Sequence, residues 1–569
     1  MSGGHAVVIG SGAGASVAAA TLRGAGWDVT ILEKGRNRFR GLDDPAGLGG
    51  PEFGGDELGE DRGTLGEDSF GCPRTGRTQQ EAAGGVEHSY VGDLNGLPQT
   101  VGGGTIHWDA KVPRFWTDDF KMASLYGPVP GADPADWPFD YGDLVPYYDR
   151  VEDVIGCAGS LADTPGYVLE RAPRGEYQMP PGAPMYGATV FNAGARKLGY
   201  QPFPFVMAAN TVERDGRPPC NNCGYCSAYG CPIHARASAA VTWLRRALLD
   251  GAELRTRANA VRIETEGGRA SGVTYREGLG GEVFVDADAV ILAASAVESA
   301  RIALLSGFGR DDDLVGRYVC FHADTFAAGR VPMRLHQYRG RSGSHCMLEP
   351  AVPDTRIARW AGLPYLRGGV VEIGGAPMLI EEAGIYSGFP FTRGRNHKNL
   401  MRQSPLRDHL CSVQMIGEDL AQRANRVDLD PSVRDVYGLP VARITYSLHK
   451  HEKLAGWYWG AKLAEALRAA GASPAYFVPP ALNALTGSNP ITSETRHMSG
   501  TMRMGTDPST SVVDEFGRVW AATNVVVCDG SVFPTSGAFN PTNTIMSVSL
   551  RNATALAYGD DQARTGPVV

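Results

Sequence analysis

Three groups of residues in this sequence have the types and spacing for chemistry. The first is Gly10-Ser11-Gly12-Ala13-Gly14-Ala15, a G-x-G-x-x-G/A pattern whose glycines let backbone amides approach a pyrophosphate at the start of a helix. Glu33 follows where a carboxylate can accept from ribose hydroxyls. Alone, the glycines read equally well as a tight turn. With an apolar strand before them, a helix after them and Glu33 closing the next strand, they predict a dinucleotide cofactor, FAD or NAD. The second group is Cys220, Cys223, Cys226 and Cys231-Pro232, a C-x2-C-x2-C-x4-C-P run. It differs by one residue from the ferredoxin run that holds iron–sulfur clusters, and it is too tight for two separated zinc knuckles. An iron–sulfur cluster, structural thiols or a disulfide, and zinc all stay open here. The third is His497 with Asn540 about forty residues on. A neutral imidazole can accept a proton near neutral pH, and an amide can donate to a developing oxyanion without titrating. The plain alternative is a histidine capping one turn and an asparagine filling another before Pro541.

The elements that must position these groups follow from periodicity. Residues 5–9, 13–25 and 27–32 read as strand, helix and strand, a βαβ opening. Residues 36–100 form a polar, glycine-rich excursion, for example Gly49-Gly50-Pro51 and Gly54-Gly55-Asp56, expected to lie over a ligand or an interface. Residues 140–157 and 232–250 read as helices. The apolar run 285–294 reads as a buried parallel strand leading into a helix at 296–305. Residues 320–490, with strand-like alternation and aromatics such as Gly456-Trp457-Tyr458-Trp459, read as a second, substrate-side domain. The expected division is a cofactor domain at 1–155, a first substrate part at 156–215, a return to the cofactor domain at 216–320, the substrate domain at 321–490 and a catalytic C-terminal part at 491–569.

Composition narrows the partners. The chain has 569 residues, 43% of them apolar, enough for a large core and more than one domain. A net charge of −8 without a lysine- or arginine-rich run argues against nucleic acid or anionic lipid and for a small-molecule substrate. No window reaches a membrane span, and the first strand leaves no room for a leader, so the cytoplasm is expected. Ten cysteines in such a length are not a disulfide scaffold; outside the run they are scattered as buried thiols are.

At the C-terminus, His497-Met498-Ser499-Gly500-Thr501 precedes Asp529-Gly530 and Asn540-Pro541-Thr542-Asn543-Thr544, and Val101-Gly102-Gly103-Gly104-Thr105 stands earlier. In this order, with the N-terminal glycine loop, these motifs resemble the glucose–methanol–choline (GMC) oxidoreductases at both ends and in the middle of the chain. The resemblance implies an α/β (α+β overall) fold, a Rossmann-like FAD-binding domain interleaved with an antiparallel-sheet substrate domain. It implies FAD rather than NAD, and oxidation of a CH–OH group by hydride transfer to the flavin. His497 would take the hydroxyl proton and Asn540 would steady the oxygen. Gly10, Gly12, Gly14, Ala15, Glu33, Gly103, Gly104, Thr105, Val261, Asp529 and Gly530 would bind the cofactor, with Asn543 and Thr544 near the flavin's pyrimidine edge. His107-Trp108 is similar to the T-H-W motif of pyranose 2-oxidase, which implies a covalent flavin link through His107 or a packing histidine in its place.

Asp136-Trp137-Pro138-Phe139-Asp140-Tyr141 and the cysteine run are similar to bacterial sugar dehydrogenase large subunits, which points the substrate towards sugars and glycosides. The electron acceptor would be oxygen, a quinone or a protein carrier. Two rivals remain: a subunit linked to an electron carrier through an iron–sulfur relay, and a non-redox lyase of the same fold.

Overall fold

The computed structural model describes residues 3–49, 72–92, 94, 99–224, 226, 229–278, 280–309, 313–375, 393–403, 406–480, 491–492 and 496–568. Its first strand, β1 (His5–Ile9), is almost wholly apolar because it is covered on both faces. It pairs in parallel with Ala289–Leu292 on one side and with β2 (Asp28–Glu33) on the other, Val8 standing between Ile291 and Ile31. Glu253–Thr256 extends the sheet beyond β2, and Ala522–Val527 extends it beyond Ala289–Leu292. Parallel neighbours need crossover connections, so this sheet draws its strands from three distant stretches of chain. The short edge strand Arg518–Val519 alone runs antiparallel.

Helix α1 (Ala13–Gly24) follows the glycine loop and packs on the C-terminal helix Thr542–Tyr558. Its run of small residues allows the close fit, and Gly14 is the limit of it. A Cβ on Gly14 would lie 1.8 Å from the Cys528 carbonyl oxygen.

A second six-stranded sheet is antiparallel throughout. Its order is Ala475–Val478, Ala323–Arg330, Leu410–Gly417, Gly369–Ile373, His345–Met347 and Phe203–Pro204. Phe191 of the helix Tyr186–Lys197 and Leu463 and Leu467 of the helix Lys450–Ala469 cover one face of it. The two sheets are stitched beside the C-terminal motifs. Val370 N–H donates to Ala538 O at 3.0 Å, and Cys320 and Ser499 form a bridge. The architecture is the expected mixed α/β one.

Several elements differ from expectation. Within the stretch 320–490, read as rich in strand-like alternation, Trp457, Tyr458 and Trp459 lie on the helix Lys450–Ala469, whose sequence on either side is rich in Lys, Glu, Leu and Ala. The helix expected at 232–250 is confined to residues 240–249. The run 285–294 is two strands: Glu282–Asp286 closes a separate three-stranded sheet, and only Ala289–Leu292 joins the parallel one. Within the excursion, Arg74–Arg77 and Tyr90–Gly92 build a four-stranded sheet with Arg426–Arg434 and Pro440–Thr445. Gly50-Pro51 and Gly54-Gly55-Asp56 lie outside the described residues. Among the described residues no helix is long and apolar enough to cross a membrane.

Candidate active site

A cavity of about 430 Å³ opens between the two large sheets and is walled at one end by the glycine loop. Gly10 is left-handed, with φ at 104°, and a Cβ there would lie 2.5 Å from the Ala293 carbonyl oxygen. Gly12 is the N-cap of α1 and has no side chain to cap it; a Cβ there would meet nothing within 4 Å. The uncapped first-turn N–H groups therefore face open space, which is an anion site by geometry and by helix dipole.

Glu33 is buried on the same wall. Its carboxylate accepts from Ser11 Oγ at 2.5 Å and from Gly35 N–H at 2.8 Å, while burial raises its pKa. Ser11 Oγ in turn accepts from Gly102 N–H at 3.1 Å, so the loop is tied to the Gly103-Gly104-Thr105 segment that forms the next stretch of wall. His107 and Trp108 continue it. An open helix N-terminus for a pyrophosphate, a carboxylate at the end of β2 and a long glycine-lined wall fit FAD.

Not every expected contact reaches this wall. Ala15 and Val261 are buried behind it, next to Gly14 and Ala260, which do line it. Asp529 and Gly530 line it, but the Asp529 carboxylate is spent within the protein. It accepts from Ser299 Oγ at 2.6 Å and from Ser531 N–H at 2.9 Å. Asn543 and Thr544 are fully buried away from the cavity. Asn543 Nδ2 donates to Val112 O and Glu152 Oε1, and the Thr544 hydroxyl bonds that of Tyr148 at 2.7 Å. Helical rotation of about 100° per residue presents Thr542 and Ile545 to the cavity instead.

At the far end, His497 and Asn540 share the wall with Asp109, Lys111, Glu372 and Gln414. Asn540 Nδ2 donates to Glu372 Oε1 at 3.0 Å, while its Oδ1 is buried without a partner. The other Glu372 oxygen accepts from Lys111 Nζ, which also donates to Asp109 Oδ2 at 2.8 Å. The two carboxylates raise the Lys111 pKa despite its burial, so the ammonium stays charged. Burial, then His322 and Lys111, push the His497 pKa well below its ordinary value, so its imidazole is neutral at working pH. His322 Nδ1 lies 3.0 Å from His497 Nδ1. None of Asp109, Lys111, Glu372 or His322 belongs to a recognisable motif. The charged residues on either side of Ala110 are the only sign of them in the sequence.

The cysteine run lies just behind this wall. Arg236 donates to the carbonyls of Cys226, Tyr229 and Ile106 and so ties the run to the segment carrying His107. Backbone N–H groups donate to Cys220 and Cys231 sulfurs, all four thiols are free, and burial pushes the Cys226 thiol up to about 12. Among the described residues no three cysteine, histidine or carboxylate side chains are gathered to hold a metal ion.

Two GMC oxidoreductase family models match, over residues 139–324 and 421–549. The chain is 30% identical to paromamine 6'-oxidase of Streptomyces fradiae, over 97% of this chain and 91% of that one. It is 29% identical to the gluconate 2-dehydrogenase flavoprotein of Pantoea cypripedii, over 81% and 79% respectively. Among solved structures, pyridoxine 4-oxidase from Mesorbium loti superposes with a TM-score of 0.60 at 17% identity, covering 97% of this chain and 99% of that one.

Proposed function

The chain belongs to the GMC oxidoreductase family, and from that premise we propose that it oxidises a CH–OH group of a sugar, glycoside or related polyol to a carbonyl, with His497 as the base. One observation carries this reading: His497, Asn540 and the glycine loop, nearly 500 residues apart in sequence, wall a single cavity. FAD, when bound, supplies the hydride acceptor.

The chain's own groups bind and orient. The α1 N-terminus and Glu33 hold the dinucleotide, and Gly103, Gly104 and Thr105 keep the wall thin enough for a flat ring. His497, neutral through burial, takes the hydroxyl proton. Asn540 is steadied by Glu372 through one N–H, leaving the second N–H for the substrate oxygen as it gains charge. Asp109, Lys111, Glu372 and Gln414 make that end polar, which suits a substrate with several hydroxyls. Relatives named for gluconate and paromamine support the same class.

Anaerobic mixing of the FAD-loaded enzyme with a panel of sugars, glycosides and polyols is expected to bleach the flavin with at least one of them. His497→Ala should keep FAD and lose about 10² to 10⁴ in reduction rate. Reduction at the wild-type rate in that variant rules out His497 as the base.

A further inference from the structure

We propose that His322 is a positioning residue that fixes the proton of His497 on Nδ1, leaving Nε2 as the basic nitrogen. This rests on the assignment of His497 as the base and adds which of its atoms acts and what holds it so.

The hydrogen-bond chain allows one arrangement of protons. His322 Nε2 lies 3.1 Å from the Ser536 carbonyl oxygen, which can only accept, so the His322 proton sits on Nε2. A neutral imidazole carries one N–H, so His322 Nδ1 is an acceptor. Its partner at 3.0 Å, His497 Nδ1, must then be the donor. His497 is left with a lone pair on Nε2. Both rings are neutral because burial depresses their pKa values, that of His322 to about 4. The rings meet nearly perpendicular, at 85°. The titratable and charged groups facing the pair are Lys111 and Asp109 on the His497 side, and Arg367 and Asp419, whose carboxyl burial raises to about 7, on the His322 side.

The backbone around His322 is built for this. His322 has φ at 64°, a left-handed conformation costly for a residue with a Cβ and kept only where its surroundings impose it. Asp419 imposes it. Its carboxylate accepts from the Phe321 N–H at 2.6 Å, from the Tyr446 hydroxyl at 2.8 Å and from the His322 N–H. The same residue locks the acceptor side. Ser536 Oγ donates to Asp419 O at 2.8 Å and accepts from Asp419 N–H at 3.2 Å. One residue thus holds both the ring that accepts from His497 and the carbonyl that orients that ring. The position immediately before the strand Ala323–Arg330 carries this role without any sequence motif.

The test compares His322→Asn, whose Oδ1 can accept in place of Nδ1, with His322→Leu, which offers no acceptor. Anaerobic flavin reduction by a reducing polyol is followed across pH, together with FAD content and substrate affinity. His322→Leu is expected to keep FAD and substrate affinity within a few-fold while slowing reduction at least ~10²-fold, as a base in the wrong tautomer would. His322→Asn should recover most of the loss. Wild-type reduction in His322→Leu, or equal losses in both variants, overturns the proposal. Should either variant fail to fold, a neutron structure of the wild-type holoenzyme decides. Protons on His497 Nδ1 and His322 Nε2 support the proposal, and a proton on His497 Nε2 overturns it. Failure of the base assignment itself would show separately, as normal reduction in His497→Ala.

Discussion

The two ends of the cavity are made of different material. Around Gly10, Gly12 and Gly14 the wall is backbone, and its function depends on side chains being absent: an uncapped helix end, a turn with positive φ and a helix pressed against the Cys528 carbonyl. Around His497 the wall is side chain. Asp109, Lys111, His322, Glu372, His497 and Asn540 come from five separate stretches and are held by one another. A backbone site fails when an atom is added. A side-chain site fails when a group is removed, and it can fail without losing its cofactor.

The largest expected effect breaks the first end. In Gly14→Val the new side chain has no space against Cys528, so α1 must move and FAD content should fall to near zero with a large loss of thermal stability. A Gly14→Val enzyme that purifies with full flavin would contradict the claim that this contact sets the helix. Next, at the other end, Lys111→Met leaves the buried Glu372 and the half-buried Asp109 as like charges with no cation between them. It should cost about 3 to 5 kcal/mol in denaturant unfolding, partly restored by adding Glu372→Gln. No recovery in the double variant would mean that Lys111 acts through packing rather than charge.

The pH dependence of reduction sharpens the comparison further. The base is the neutral form of His497, so protonation abolishes it. Because burial and the neighbouring His322 and Lys111 lower its pKa, activity should be flat through neutral pH and decline only well below the ordinary imidazole value of about 6.5. A half-maximal rate near pH 7 would show that another group controls the step.

The contrast also explains what is legible in the sequence. A backbone site demands glycine at fixed spacing, so Gly10 to Ala15 with Glu33 announce a dinucleotide by residue type and spacing alone. His497 and Asn540 are legible through the family's motifs, which supply FAD and alcohol oxidation together. His322 is not. Its role comes from a carbonyl and a carboxylate nearly 100 residues or more away, Asp419 and Ser536, that only folding brings to it. The resemblance places Asn543 and Thr544 near the flavin's pyrimidine edge; in the fold their side chains hydrogen-bond within the core, and Thr542 and Ile545 line the cavity. The strand-like alternation of 320–490 gives no sign of the helix that carries Trp457, Tyr458 and Trp459, because aromatic residues occur on strands and helices alike.

Behind His322 lies a buried acidic group whose effect is smaller and has the opposite sign to that of the histidines. Burial raises the carboxyl groups of Glu418 and Asp419 to about 7 and that of Glu452 well above its ordinary value. The folded protein thus holds protons there that the unfolded chain releases above about pH 4 to 5. Their contribution to stability is complete below that range and is lost as pH rises through 7. His322, lowered to about 4, works the other way, with stability lost as pH falls from about 6.5. Of these two groups, only the acids act as pH rises through 7 to 8. Glu452 Oε1 accepts from Leu420 N–H at 2.9 Å, a bond that glutamine can keep. Glu452→Gln should leave thermal stability near pH 5 almost unchanged and raise it relative to wild type at pH 8, by up to about 1.4 kcal/mol per pH unit of titration removed. A constant difference between the two proteins across that range would mean that Glu452 does not titrate with folding, and that the brace behind His322 holds a charge rather than a proton.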